Sequence, residues 1–181
     1  MVKLISDVDL EEISSKEEFL VDTNVLLAVH FGSSRWSEEK IEQYASFILA
    51  LLKNGNTLYV SALNLQELCH SFENNEFVQY RCVNHYGREF TKKMYRAIEE
   101  ERRRLSKDLQ SKYAEISDQY VVLSGSITNS MIKNFIEDYE NHFYDPIDFM
   151  TVRHNANGIV NFITDDADFK KDPRIVVYTC S

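Results

Sequence analysis

Cysteine is scarce in this 181-residue chain, which has only Cys69, Cys82 and Cys180. They are odd in number, far apart and outside any metal-ligand spacing, so a disulfide framework and a thiolate metal site are both excluded. Free thiols in a reducing compartment are the expectation. Glycine and proline are also few, at five and two, and there is no low-complexity tract and no internal repeat. No apolar stretch approaches the roughly 20 residues of a membrane span. The opening Met-Val-Lys-Leu-Ile-Ser-Asp lacks a basic region followed by a long apolar run, so no secretory signal is expected and a cytoplasmic location follows. Basic residues are outnumbered 20 to 29, a formal charge of −9. That balance argues against a sequence-independent coat on nucleic acid. It leaves room for an enzyme that reaches nucleic acid through metal ions and one local basic surface.

What is present supports a sizeable core: 44% hydrophobic residues, with 10 Tyr and 11 Phe. The length suits one domain, or one domain with an insertion. Residues 1–18 read as an N-terminal extension in which Val2, Leu4 and Ile5 can add an edge strand. Residues 19–181 form the domain proper, with a basic helical elaboration at about 74–120.

The chain is organised around Phe19-Leu20-Val21-Asp22-Thr23-Asn24. A short buried strand runs into an acid and then into a helix or turn from Val25 to Val29, ended by Gly32. Ser37 starts a second helix, with Ile41, Tyr44, Ala45, Ile48, Leu51 and Leu52 at helical spacing and Asn54-Gly55-Asn56 as its close. Leu58 to Val60 form the next strand, and Ser61 caps the helix that carries Glu67. Residues 71–87 suggest a short helix plus a loop. From Arg88 to about Ile116 the pattern is one long helix or a helical hairpin. Tyr120 to Leu123 are extended, and Ile127 to Tyr139 are helical. Asp145-Pro146 opens a helix that Asn157-Gly158 ends. Strands at Ile159–Ile163 and Ile175–Tyr178 flank an acidic loop. Short apolar strands joined by long helical connections predict a small, mostly parallel sheet with helices on both faces.

Four acids fall at comparable places. Asp22 ends the first strand, Glu67 sits in the helix after the second, Asp148 starts the helix before the Ile159 strand, and Asp166 lies just past that strand. These positions converge at the carboxyl edge of a parallel sheet, where open α/β sheets bind ligands. Close carboxylates repel one another unless a cation neutralises them. Oxygen donors suit Mg²⁺ or Mn²⁺, and such ions can acidify a water and neutralise a phosphodiester. The five histidines form no ligand pattern or catalytic pair. Ser61 reads as a cap, not a nucleophile, because no base is placed near it in sequence.

The segment 88–112 concentrates Arg88, Lys92, Lys93, Arg96, Arg102, Arg103, Arg104, Lys107 and Lys112. One reading is a solvated helix face with i,i+4 acidic partners such as Glu99 and Glu100. The other is a phosphate-contacting arm, or a surface for an acidic protein, built on Lys92, Lys93, Arg96, Arg103, Arg104 and Lys107.

The pieces Phe-Leu-Val-Asp22-Thr-Asn24-Val-Leu, Val-Ser61-Ala-Leu-Asn-Leu-Gln-Glu67-Leu, Asp148-Phe-Met-Thr-Val-Arg-His-Asn-Ala-Asn-Gly158 and Phe-Ile-Thr164-Asp-Asp166-Ala-Asp168-Phe169 resemble, in order, the motifs of the PIN domain family of metal-dependent ribonucleases. That family includes toxins of bacterial and archaeal toxin–antitoxin pairs. The resemblance covers about residues 19–179 and is poor from 74 to about 120. It implies a three-layer α/β/α fold with a central sheet of four or five strands. It also implies that Asp22, Glu67, Asp148 and Asp166 are the catalytic, metal-binding acids, with Asp168 as a further candidate. Asn24 would orient Asp22 or lie near the metal, and Thr164 would support the last carboxylate. Phe149 departs from the family, which often has a small residue there, and Asp145 stands one turn before Asp148; the distance to the Thr164 motif favours Asp148.

The activity implied is hydrolysis of RNA by a water activated by one or two Mg²⁺ or Mn²⁺ ions, leaving a 5′-phosphate and a free 3′-hydroxyl. The partners implied are an RNA substrate, an antitoxin protein and a second copy of the chain. Two other readings are a non-catalytic PIN-like module that binds protein or RNA, and a Mg²⁺-dependent phosphotransferase or phosphatase. The latter is disfavoured because Asp22-Thr-Asn lacks a second Asp two positions on.

Overall fold

The structure is a computed structural model that describes residues 1–32, 36–123, 128–137 and 158–180. Its centre is a six-stranded sheet whose pairings are all parallel. The strands are β1 (Val2–Leu4), β2 (Glu18–Val21), β3 (Thr57–Ser61), β4 (Val121–Leu123), β5 (Asn161–Ile163) and β6 (Val176–Thr179), in the order β1-β6-β5-β2-β3-β4. The arrangement is the expected three-layer α/β/α sandwich. The sheet reaches six strands because the apolar residues at Val2 and Leu4 do pair, parallel to β6, as its edge.

Alternation along the strands builds both faces. Phe19, Val21, Leu58, Val60, Ile163 and Tyr178 join one core cluster, and Leu20, Phe162 and Val177 join another. Successive side chains in a strand point to opposite faces, so the two sets interleave residue by residue. The first cluster is closed by α1 (Thr23–Phe31), α2 (Glu38–Lys53) and Ile116 of α5 (Glu99–Gln119). Tyr44, Phe47, Ile48 and Leu51 of α2 are buried there. Both helix signals read from sequence are present: the Ser37 side chain accepts from the Lys40 amide, and Gly32 ends α1 at φ 63°, a left-handed value that disfavours other residues.

Two elements differ from the sequence reading. The helix opened by Ser61, α3 (Ala62–Val83), continues through the region expected to be a short helix plus loop. The segment from Arg88 to about Ile116, expected as one long helix or a helical hairpin, is two helices, α4 (Lys92–Ala97) and α5, that meet at Ile98, whose extended backbone ends one and precedes the other. A small aromatic cluster then ties α3 to α4: Phe77, Phe90 and Tyr95 are buried, with Tyr80 packed against them. The helix expected from about Ile127 is α6 (Asn129–Glu137). The one expected from Asp145 to Ala156, carrying Asp145 and Asp148, lies outside the described residues.

Candidate active site at the β2–β5 seam

Strand order reverses direction at β2. From it, β3 and β4 extend one way, and β5, β6 and β1 the other. A crevice opens beyond the carboxyl ends of the strands at such a switch point. Val21 pairs with Ile163, so Asp22 and Thr164 are the next residues on adjacent strands. Leu20 pairs with Tyr59, which brings Ser61 into the same row. The register alone therefore aligns Asp22, Ser61 and Thr164 across three strand ends.

Asp22 is buried and serves as the N-cap of α1, its Oδ1 accepting from the Thr23 amide at 2.6 Å. Thr164 donates its hydroxyl to Asp22 Oδ2 at 2.7 Å and accepts from the Asp166 amide at 3.0 Å. One hydroxyl thus orients the first acid and the backbone of the last. Burial pushes the Asp22 carboxyl up to about 7; the like charges of Glu67 and Asp166 push the same way, while the bonds from Thr164 and Thr23 hold it down. Asp22 therefore lies within reach of the charges of both Glu67 and Asp166.

Asn24 reaches Thr164 Oγ1 at 3.5 Å, so it acts on Asp22 only through the threonine. Its Oδ1 is buried and has no hydrogen-bond partner among the described residues. The Asp168 carboxylate accepts from Lys171, and its amide donates to Asp166 Oδ1 at 2.7 Å. The neighbouring Asp165 is bound by Lys40 at 2.9 Å and by Thr179 at 3.2 Å. Both adjacent acids line the cavity, and among the described residues no cation pairs with Asp166.

Ser61 caps α3 in a reciprocal arrangement with Asn64: its hydroxyl accepts from the Asn64 amide, and Asn64 Oδ1 accepts from the Ser61 amide. The sequence reading missed Asn64. Fully buried, it donates from Nδ2 to Thr23 Oγ1 at 2.9 Å and to Asp22 Oδ1 at 3.4 Å. Its signal was the Ser-x-x-Asn spacing, a variant of the capping box.

A polar cavity of about 470 Å³ opens beside these acids, lined by Asn24, Trp36, His70, Asn74, Asn75 and Asp166, among others. His30 plays no part in it. That ring is hydrogen-bonded to the Tyr120 hydroxyl at 3.0 Å, and burial lowers its pKa.

The donor types beside the cavity are those that a hard divalent cation takes. They are the carboxylate oxygens of Asp22, Glu67 and Asp166, the last two adding like charge at Asp22, and the buried Asn24 amide oxygen, which has no hydrogen-bond partner among the described residues. Among the described residues, no three His, Cys, Asp or Glu side chains are grouped closely enough to hold one ion.

The basic segment is largely paired. Arg96 binds Glu73 through two nitrogens, Lys92 lies 3.6 Å from the same carboxylate, and Arg103 pairs with Glu99. Arg104 spans Glu76 of α3 and Glu101 and Asp108 of α5. Lys93 and Lys107 form no ion pair among the described residues.

Six chains of solved structures match the fold. One, in a crystal structure of VapBC2 from Rickettsia felis bound to a DNA fragment from their promoter, aligns over 91% of this chain and 99% of its own, with a TM-score of 0.54 at 14% identity. The likeness is one of fold. No protein-family model matches the chain, and no curated protein matches it significantly. No helix among the described residues is long and apolar enough to cross a membrane.

Proposed function

We propose that the chain is a PIN-type, metal-dependent endoribonuclease, the kind of activity found in the toxins of toxin–antitoxin pairs. The observation that carries the reading is Asp22 itself. It is a buried carboxyl at the sheet's switch point, pushed up to about 7 by burial and by the charges of Glu67 and Asp166. Keeping such a group in a structure costs stability unless a cation is part of the working state. The fold shared with the Rickettsia felis chain supports the same reading.

In this reading Asp22 is the central ligand for Mg²⁺ or Mn²⁺. Glu67 and Asp166, which are not grouped closely enough with it to hold one ion in this arrangement, would close on a bound ion, with Asn24 Oδ1 as a neutral donor and Asp148 as a fourth acid. The chemistry supplied by the bound ion is acidification of an attacking water and neutralisation of charge on the phosphodiester. The chain's own residues do the positioning. Thr164 holds one Asp22 oxygen, and the Thr23 amide with Asn64 holds the other, so the carboxylate is fixed before substrate arrives. Water adds to phosphorus, the bond from phosphorus to the 3′-oxygen breaks, and the products are a 5′-phosphate and a 3′-hydroxyl. An antitoxin and a second copy of the chain remain the proposed protein partners.

The test is cleavage of RNA by the purified chain in Mg²⁺ or Mn²⁺, set against the same reaction in chelator and with Asp22→Asn. Metal-dependent cleavage that Asp22→Asn abolishes is the expected result. A variant as active as the parent sinks the site.

A further inference from the structure

We propose that the cavity beside the acids is a nucleobase-reading subsite for single-stranded RNA, with Asn74 and Asn75 as its specificity-determining residues. The choice of RNA as ligand rests on the nuclease reading above; the choice of a base over a phosphate rests on the cavity.

Helical geometry makes the cavity wall one stripe. Glu67, His70, Asn74 and Asn75 lie three, four and about seven or eight residues apart on α3, so they share a face. At its inner end the stripe carries Glu67, whose charge is felt by Asp22, and further along it lines the cavity with His70, Asn74 and Asn75. Anything bound along the stripe therefore has one end at the acids and the other at the amides.

The two ends differ in chemistry. Asp166 at the acid end repels a bare phosphate. The far end offers the side-chain amides of Asn74 and Asn75, which both donate and accept, and a planar amide matches the paired donor and acceptor on a base edge. Among the described residues, neither asparagine side chain has a hydrogen-bond partner, nor does His70. The other wall contains Trp36, whose ring is held by stacking on Tyr44 at 5.1 Å and by the Lys40 ammonium 5.1 Å from its centre. A fixed aromatic wall suits an unstacked base. The volume of about 470 Å³ lies within the usual range for a small-ligand site of about 300–1,000 Å³. Asparagine is a weak helix former, so two in succession inside a 22-residue helix disfavour that helix locally.

The experiment measures binding by fluorescence anisotropy, using the full chain carrying Asp22→Asn so that labelled oligonucleotides survive. Short homopolymers of A, C and U are compared, as RNA and as DNA, in Mg²⁺. The expected result is a preference for one ribo-homopolymer of about fivefold or more, the lower end of what one paired amide contact discriminates. Adding Asn74→Ala and Asn75→Ala should erase that preference. Circular dichroism and thermal unfolding should show the helix intact, because alanine favours it. A preference that survives both substitutions, or a parent that binds all homopolymers alike, overturns the proposal; a preference seen only with DNA overturns RNA as the ligand. Cleavage is a separate readout. A chain that cleaves nothing yet shows the asparagine-dependent preference keeps this subsite and sinks the nuclease, and one that cleaves all homopolymers equally does the reverse.

Discussion

Thr164 and Asp22 follow directly after the paired residues Ile163 and Val21 on adjacent parallel strands, and the threonine hydroxyl donates to the acid at 2.7 Å. The same oxygen accepts from the Asp166 amide. A single hydroxyl therefore couples the orientation of two acids that approach the seam from different strands.

Thr164→Val keeps the shape of the side chain and removes the donor. Loss of a buried hydrogen bond to a charged group should cost about 1–3 kcal/mol of stability above pH 7, read from urea unfolding. Divalent-ion affinity should fall by about tenfold or more, as when a group that orients a metal ligand is lost. Unchanged ion affinity would remove Thr164 from the positioning role.

The Asp22 carboxyl carries a pH signature in the metal-free chain. Its folded pKa, about 7, is raised from 3.8, so the folded state holds a proton that the unfolded state has released. The group's contribution to stability is full below pH 3.8 and is lost as pH rises through 7. The slope in that window is at most ~1.4 kcal/mol per pH unit. Asp22→Asn, which keeps an effective helix cap, should flatten that slope and make the metal-free chain more stable than the parent at pH 8. Urea midpoints at pH 5, 6, 7 and 8 decide the matter, and parallel curves for the two proteins would contradict it.

Arg104 joins Glu76 on α3 to Glu101 and Asp108 on α5. These groups are partly exposed, so Arg104→Ala should lower stability by only about 0.5–1 kcal/mol, and less in high salt. Thermal unfolding in low and high salt measures this; a loss that salt does not diminish would mean that packing of the arginine stem dominates.

Phe90 stacks on Phe77, Tyr80 and Tyr86, with ring centres 4.4–6.2 Å away. Phe90→Ala should cost about 3 kcal/mol and expose residues 84–97 to limited proteolysis while the sheet remains protected. Cleavage spread evenly over the chain would show instead that this cluster and the main core unfold as one unit.

Local signals in the sequence located the seam. Phe19 to Val21, Leu58 to Val60, Ile159 to Ile163 and Ile175 to Tyr178 are short apolar runs bounded by turn residues, and each overlaps an observed strand. Ser37, Ser61 and Gly32 mark their helix ends by chemistry that acts within a few residues. Other features depend on distant partners. Asn74 and Asn75 weaken the helical pattern, and α3 runs through them because Phe77 and Tyr80 find Phe90 and Tyr95. The break at Ile98 has no glycine or proline to announce it. Asp165 and Asp166 are adjacent and chemically identical in sequence. Partners elsewhere in the chain distinguish them: Lys40, 125 residues away, and Thr179 take the first. Asn64 looked like one more polar residue in a helix's first turn, and its value lies in the buried carboxylate across the crevice.

The seam also has a consequence for timing. Asp22 and the hydroxyl that orients it are separated by 142 residues, and a parallel pairing of that span forms late. During synthesis, β2, β3 and their helices emerge while Asp22 still lacks both Thr164 and Asp166. The nascent chain can build half of its scaffold with the acid pair incomplete. Whatever the mature site does to its target is withheld until β5 has left the ribosome and docked against β2.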